Sequence, residues 1–327
     1  MSNSFKFQPI SFSWVAVHPQ PKGVVQFIGG TFFGSLPTLF YRYFLQQLFE
    51  EGYTVVALPF RFTFRHWPIA IGLLKEQEIL RTELTKIAQR LGYESEIYQE
   101  PSSYFWVGHS LGCKYIALLE FLSDDRYPNI VDKFCDRPDC EQIQRLIENL
   151  GIDRPSIKGQ PSLLLAPDIS NTESAIPVRP LAQLLDKFRL GVLPTREQTQ
   201  CFIANSSLFN LTAIISFEQD KIAGSIKDIN KSPEEQKNSD VLWLIQQLSN
   251  RKLPLLSKEI EGKHLEPIGV QIGYYIVDLN PWDKFIKPLK RRFLEYWSVH
   301  FFGCFEKAVK RLTLYKLPTH PKFPALC

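Results

Sequence analysis

A chain of 327 residues, 44% hydrophobic and 22% charged, is long enough to bury its own core and too ordinary in composition for wholesale disorder. A net charge of +4 is too mild to imply nucleic-acid binding, and it is unevenly placed: from Lys284 onward ten Lys and Arg face two acidic residues, so the preceding segment is net negative. The six cysteines (Cys113, Cys135, Cys140, Cys201, Cys304 and Cys327) form no CxxC pair and no zinc-type cluster with His, no apolar run approaches the ~20 residues of a spanning helix, and the N-terminus has no signal-peptide core, so a cytoplasmic protein with free thiols and no metal is expected.

The elements alternate along the chain. Residues 11–17 (SFSWVAV) alternate with period two, and 23–28 (GVVQFI) form a short apolar run ending in Gly29-Gly30. An amphipathic helix is predicted over 37–51, a strand over 53–58, a helix over 76–91, a strand over 104–107 and a helix over 111–122. Buried strands follow at 162–166 and 211–217. Apolar strands separated by helices indicate an α/β domain with a mostly parallel sheet flanked by helices. Two stretches interrupt the rhythm, 124–159 and 169–209, and read as cap insertions, with short helices near 141–149, 181–188 and 195–204. Residues 227–236 read as a solvated loop.

The sharpest chemical signal is Gly108-His109-Ser110-Leu111-Gly112, a G-x-S-x-G run between a predicted strand and a predicted helix. A strand that turns at once into a helix lifts Ser110 clear of the sheet in a strained backbone conformation. Side chains two residues to either side would collide with neighbouring elements, so both positions are Gly. His109 lies inside the turn and cannot fold back onto Ser110. The bland reading is a Gly-rich strand-to-helix turn that binds a phosphate or merely turns.

The chain resembles the α/β-hydrolases, and most of all a family found in cyanobacteria and plant plastids, the domain of unknown function 1350. The segments that carry the resemblance are VVQFIGGTFFGSLPTLFYRYFLQQL, YTVVALPFRFTFRHW, FWVGHSLGCKYIALL and SFEQDKIAG, together with the region around His264. The superfamily implies an order of Ser, then acid, then His. Asp220, in the turn after the strand at 211–217, matches the acid; Asp168 is the alternative acid, one strand earlier, and Glu218 the third candidate. His18 and His66 precede Ser110, whereas His300 lies on the basic-aromatic segment and His320 in a Pro-rich stretch. Of the three His after Ser110, His264 lies in the loop EGKHLEP, which resembles the His loop of the superfamily and so implies His264 as the base. The oxyanion hole would combine the N–H of Leu111 with that of Thr31 or Phe32, after Gly29-Gly30; no His precedes these glycines, unlike the HGGG pattern of lipases.

Phe33, Phe40, Phe60 and Phe62 follow the first two parallel strands and are expected to line an apolar substrate pocket. The tail forms a long helix candidate from residue 284 to about Pro318, with Phe285, Leu289, Phe293, Trp297, Phe301, Phe305 and Val309 every four residues among basic groups. It either packs its stripe on the sheet or lies on an anionic membrane. The reading is an α/β-hydrolase core over 1–283 with a basic helical extension over 284–327. It is expected to be a serine esterase, lipase or thioesterase that acts on a small-molecule or lipid-like acyl substrate without a cofactor. The rivals are a non-catalytic protein that binds a lipid or partner in the pocket, and a peripheral membrane protein that works through its tail.

Overall fold

The computed structural model describes residues 5–135, 137–151, 156–169, 191–278 and 286–314. An eight-stranded sheet is built from β1 (Gln8–Ile10), β2 (Ser13–Ala16), β3 (Gly23–Ile28), β4 (Tyr53–Ala57), β5 (Tyr104–His109), β6 (Ser162–Leu165), β7 (Thr212–Phe217) and β8 (Leu255–Ile260). Its spatial order is β1-β2-β4-β3-β5-β6-β7-β8. The β1–β2 and β2–β4 pairs are antiparallel and the rest are parallel. Strands β3, β4, β5, β6 and β7 are buried along their whole length, which is why they read as continuous apolar runs.

Helices cover both faces. Adjacent residues of β5 point to opposite sides, as the pleat requires. Tyr104 meets the Arg81 guanidinium of α3 (His66–Leu91), 5.4 Å from the ring centroid. Phe105 meets Phe302 and Phe305 of the C-terminal helix Leu294–Leu314, with ring centroids 5.3 and 6.4 Å apart. Helix α4 (Leu111–Leu122) packs beside α3. On the other face the C-terminal helix packs on α2 (Arg42–Glu50), which the short α1 (Pro37–Phe40) precedes.

Several expected boundaries move. The strand expected over 11–17 is β2 and starts later, at Ser13, because Ser11 turns with φ 54° in a hairpin between β1 and β2. The helix expected over 37–51 breaks at Tyr41. The helix expected at 76 begins at His66, where Pro68 fits the first turn. Its Glu76 is buried and accepts hydrogen bonds from Ser11 Oγ, Phe12 N and Ser13 Oγ, so a charged residue marks a docking point rather than a helix start. The expected loop over 227–236 contains a 3-10 turn (Ile226–Asn230) and a short capped helix (Pro233–Lys237).

The expected cap at 124–159 supplies α5 (Tyr127–Phe134) and α6 (Arg137–Glu148). They pack against α3 and against α7 (Arg196–Asn205), in the same helical layer as α4. The helix expected near 181–188 lies outside the described residues. Where the second insertion returns, Leu193 pairs with the 64–66 segment: the Leu193 N–H donates to Phe64 O (2.7 Å) and the His66 N–H to Leu193 O (2.8 Å). Helix α8 is the capped Pro233–Lys237 helix, and α9 (Asp240–Ser249) leads into β8.

The described tail residues 286–293 are not α-helical. A small antiparallel sheet of β9 (Val270–Ile272), β10 (Tyr275–Val277) and β11 (Ile286–Pro288) precedes helix α10, the Leu294–Leu314 helix. The buried face of α10 is Leu294, Ser298, Phe301, Phe302, Phe305 and Ala308, a 3.6-residue period. Phe293, on the expected four-residue stripe, is 50% exposed. The free-thiol expectation holds for Cys113, Cys135, Cys140 and Cys201 but fails at Cys304, which is disulfide-bonded. Among the described residues no helix is long and apolar enough to cross a membrane.

Candidate active site

The chain leaves β3 for β4 on one side and returns to β5 on the other. The loops after β3 and β5 therefore face each other across a crevice at the carboxyl ends of the strands. Ser110 sits at the head of this crevice, between β5 and α4, with φ 54° and ψ −122°, a conformation that non-glycine residues rarely adopt. It is held there by its own backbone: the Ser110 N–H donates to Leu165 O (3.0 Å), and Ser110 O accepts from the Cys113 N–H (2.9 Å). A Cβ on Gly108 would stand 2.8 Å from Cys113 N and from Ile116 Cδ1. One on Gly112 would fall onto the Ile28 carbonyl oxygen. The two glycines let β3, β5 and α4 close around the turn.

Asp220 and His264 come from the loops after β7 and β8. His264 Nε2 lies 2.8 Å from Ser110 Oγ, and His264 Nδ1 lies 2.9 Å from Asp220 Oδ2. The other carboxylate oxygen, Oδ1, accepts from the backbone N–H of Ile222 (2.8 Å) and of Ala223 (3.0 Å). All three residues are buried, Ser110 at 6%, Asp220 at 4% and His264 at 7% exposure. The line Ser–His–Asp is therefore continuous, shielded and fixed at its acidic end by main-chain donors.

Asp168 does not join this line. It belongs to a polar cluster behind α4 that contains the fully buried Lys114 and Asp240. Lys114 Nζ donates to Pro194 O (2.7 Å). Burial pushes that ammonium down to about 8, against the upward pull of Asp168, Asp240 and Glu197. Glu218 points elsewhere and pairs with Lys227 (2.9 Å).

The loop after β3 closes on Ser110: a Cβ on Gly30 would stand 3.2 Å from Ser110 Cβ and from His109 Nδ1. Its Gly30 N–H is already used, donating to Tyr41 Oη (2.7 Å). Among the described residues no main-chain acceptor meets the N–H groups of Thr31 or Phe32. Leu111, the first residue of α4, has no intrahelical acceptor for its N–H. The N–H groups of the 31–32 turn and of Leu111 are thus without a main-chain acceptor among the described residues.

Two residues that sequence reasoning missed complete this centre. The Tyr41 hydroxyl lies 2.8 Å from His109 Nδ1, and His109 Nε2 lies 2.8 Å from the His264 carbonyl oxygen. The Gly-Gly pair was the only available signal, since a Cβ on Gly29 would meet the Tyr41 ring at 2.7 Å.

The loop bearing His264 is braced from behind. Lys287 Nζ donates to Glu266 Oε1 (2.7 Å) and to Glu261 O (3.0 Å), and Arg292 Nη1 donates to Glu266 O (2.8 Å). Lys287, Glu266 and Arg292 are all buried, so two cations of the basic tail serve the His264 loop. Burial pushes the Glu266 carboxyl up, against the pull of Arg292 and Lys287.

The expected pocket aromatics divide. Phe60 is core, packed on Tyr115 (4.9 Å between centroids) and against Gly34. Phe33 and Phe40 are half-buried and contact each other edge to face at 5.0 Å. Phe62 stacks on Phe32 (4.8 Å), and these two rings stay exposed at 38% and 59%. A separate cavity of about 620 Å³ adjoins Asp220 and His264; its lining includes Lys221, Lys231, Lys263 and Asp278 and none of these aromatics.

This sheet order, with Ser110 at the β5–α4 turn, is that of an α/β-hydrolase fold. A carboxylesterase of Lactobacillus plantarum is similar at TM-score 0.53 and 10% identity, over 91% of this chain and 93% of that one. Esterase B of Lactobacillus rhamnosis is similar at 0.53 and 11%, over 92% and 82%. A sugar hydrolase of Lactococcus lactis is similar at 0.51 and 13%, over 94% and 99%. None of the curated proteins matches the chain. The chain belongs to the family described as "Protein of unknown function (DUF1350)", whose profile matches residues 6–283.

Proposed function

We propose that the protein is a serine hydrolase that cleaves a carboxylic ester or thioester of an apolar acyl group. The observation that carries this reading is the unbroken hydrogen-bonded line from Ser110 Oγ through His264 to Asp220, with Ser110 in a strained turn. His264 Nε2 takes the Ser110 proton as Oγ attacks the acyl carbon, and Asp220 holds Nδ1–H and stabilises the imidazolium. The N–H groups of Leu111 and of the 31–32 turn receive the oxyanion. His264 then returns the proton to the leaving oxygen or sulfur, and an acyl-Ser110 ester remains. Water, deprotonated by His264, adds to that ester; collapse of the adduct frees the acid and restores the Ser110 hydroxyl.

The exposed Phe32 and Phe62 rings beside the oxyanion loop favour an apolar acyl chain. The leaving group must reach His264, and the cavity on that side mixes carboxylates with lysines, which favours a polar alcohol or thiol. The membrane reading of the tail has less behind it, since Phe301, Phe302 and Phe305 pack inside and Lys287 and Arg292 serve the His264 loop. A fluorophosphonate probe tests the proposal. Labelling should occur in the wild type and disappear in Ser110→Ala and His264→Ala; an unlabelled, folded wild type overturns it.

A further inference from the structure

The mechanism above leaves unused the most buried polar residue of the G-x-S-x-G run. His109 is fully buried, and burial, with His264 close by, pushes its imidazole down to about 3. It is therefore neutral at physiological pH, with one ring N–H. The partners decide which nitrogen carries it. The His264 carbonyl can only accept, so His109 Nε2 must donate to it (2.8 Å). Nδ1 is then the acceptor, and the Tyr41 hydroxyl must donate to it (2.8 Å). That hydroxyl keeps its proton, since burial pushes its pKa up. Its oxygen in turn accepts the Gly30 N–H (2.7 Å). Every donor and acceptor along this path has one consistent role.

The path runs from one half of the site to the other. At one end the Gly30 N–H fixes the peptide just before the turn at 31–32. At the other, the carbonyl that receives the last bond belongs to the residue whose side chain faces Ser110. From these contacts, and resting on the hydrolase reading, we infer that Tyr41 and His109 are positioning residues. They form one buried hydrogen-bond chain that couples the oxyanion loop to the His264 loop, so that the oxyanion donors and the base are set together. Neither touches the reacting atoms. Removing either releases both loops by fractions of an ångström, an error that acts on the transition state more than on binding.

The test compares Tyr41→Phe, His109→Leu, the double variant and His109→Gln, whose amide N–H retains a donor for the His264 carbonyl. The readouts are kcat and KM for p-nitrophenyl acetate and the rate of fluorophosphonate labelling, with folding checked by circular dichroism. Tyr41→Phe and His109→Leu should each lose roughly 10- to 100-fold in kcat with KM within about twofold. The double variant should lose no more than the worse single one, because both break the same chain. His109→Gln should recover most of the loss and guards against a misfolded His109→Leu. Multiplicative losses in the double variant, or a Tyr41→Phe protein at wild-type kcat, overturn the coupling. If the wild type neither turns over the ester nor reacts with the probe, the hydrolase reading falls. The coupling then stands on the imidazole 15N signals of labelled protein: His109 must be the Nε2–H tautomer, and the His264 signals must move in Tyr41→Phe. Unmoved signals overturn it.

Discussion

Replacing Asp220 by Asn is the substitution whose effect the geometry defines most sharply. Asp220 Oδ1 accepts two main-chain N–H bonds, from Ile222 at 2.8 Å and Ala223 at 3.0 Å. Only an oxygen fits there, so the amide introduced by Asp220→Asn must place its NH2 toward His264 Nδ1, where Oδ2 now lies at 2.9 Å. An NH2 donates, and Nδ1 must then accept. The imidazole proton moves to Nε2, which faces Ser110 Oγ at 2.8 Å and can no longer take its proton. The same tautomer error in a serine protease triad costs about ten-thousand-fold in kcat, or about 5 kcal/mol of transition-state stabilisation. Folding should change little, by about 1 kcal/mol, since the shape and both main-chain bonds survive. The assay is turnover of p-nitrophenyl acetate by Asp220→Asn and, as control, Asp168→Asn. An Asp220→Asn protein within tenfold of wild-type kcat refutes the reasoning.

Three further substitutions probe the scaffold. Lys287→Met removes the hydrogen-bonded cation from the buried Glu266 carboxyl, so it should cost about 3–5 kcal/mol in chemical denaturation and lower turnover by loosening the His264 loop. A loss under about 1 kcal/mol would show that the ion pair does not brace the loop. Phe302→Ala removes a fully buried ring that contacts Tyr53 and Phe105, and should cost about 3–5 kcal/mol by the same measurement; a neutral result would mean that α10 is not docked. Glu120→Gln concerns pH. Burial pushes the Glu120 carboxyl from 4.5 up to about 8, against the bonds from Asn210 and Ser162. Between those values the folded protein binds more protons there than the unfolded chain does. Glu120 therefore makes stability fall as pH rises through that window and adds no further fall above it. Unfolding free energies measured at several pH values should show this slope in the wild type and lose it in Glu120→Gln; equal slopes would contradict the assignment.

The parts of the fold that are legible in the sequence share a physical cause. Strands buried on both faces leave apolar runs, and a strand that turns at once into a helix leaves the Gly108-x-Ser110-x-Gly112 spacing. The triad candidates Ser110, Asp220 and His264 stand out because each follows a strand, and the structure brings them within hydrogen-bond distance of one another. Other features leave no local trace. Strands β9 and β10 are three residues each and mostly exposed or half-buried, so they have neither an apolar run nor an alternation to read. Phe293 and Trp297 extend a four-residue stripe, but the buried face follows Leu294, Ser298 and Phe301. Glu76 resembles the start of a helix because its buried partners, Ser11 and Ser13, lie more than sixty residues away. The pairing of Tyr41 with His109 and of His109 with the His264 loop joins residues 68 and 155 positions apart, so no local pattern reveals it.

The central claim is that Ser110, activated by His264, forms a covalent acyl-enzyme. The direct measurement is rapid acid quench of the protein with excess p-nitrophenyl acetate, followed by intact-mass and peptide analysis. The account predicts one acetyl group per chain, on the peptide containing Ser110, formed in a burst of p-nitrophenol and absent from Ser110→Ala. Acetylation confined to other residues, or release of p-nitrophenol that Ser110→Ala does not diminish, would contradict it.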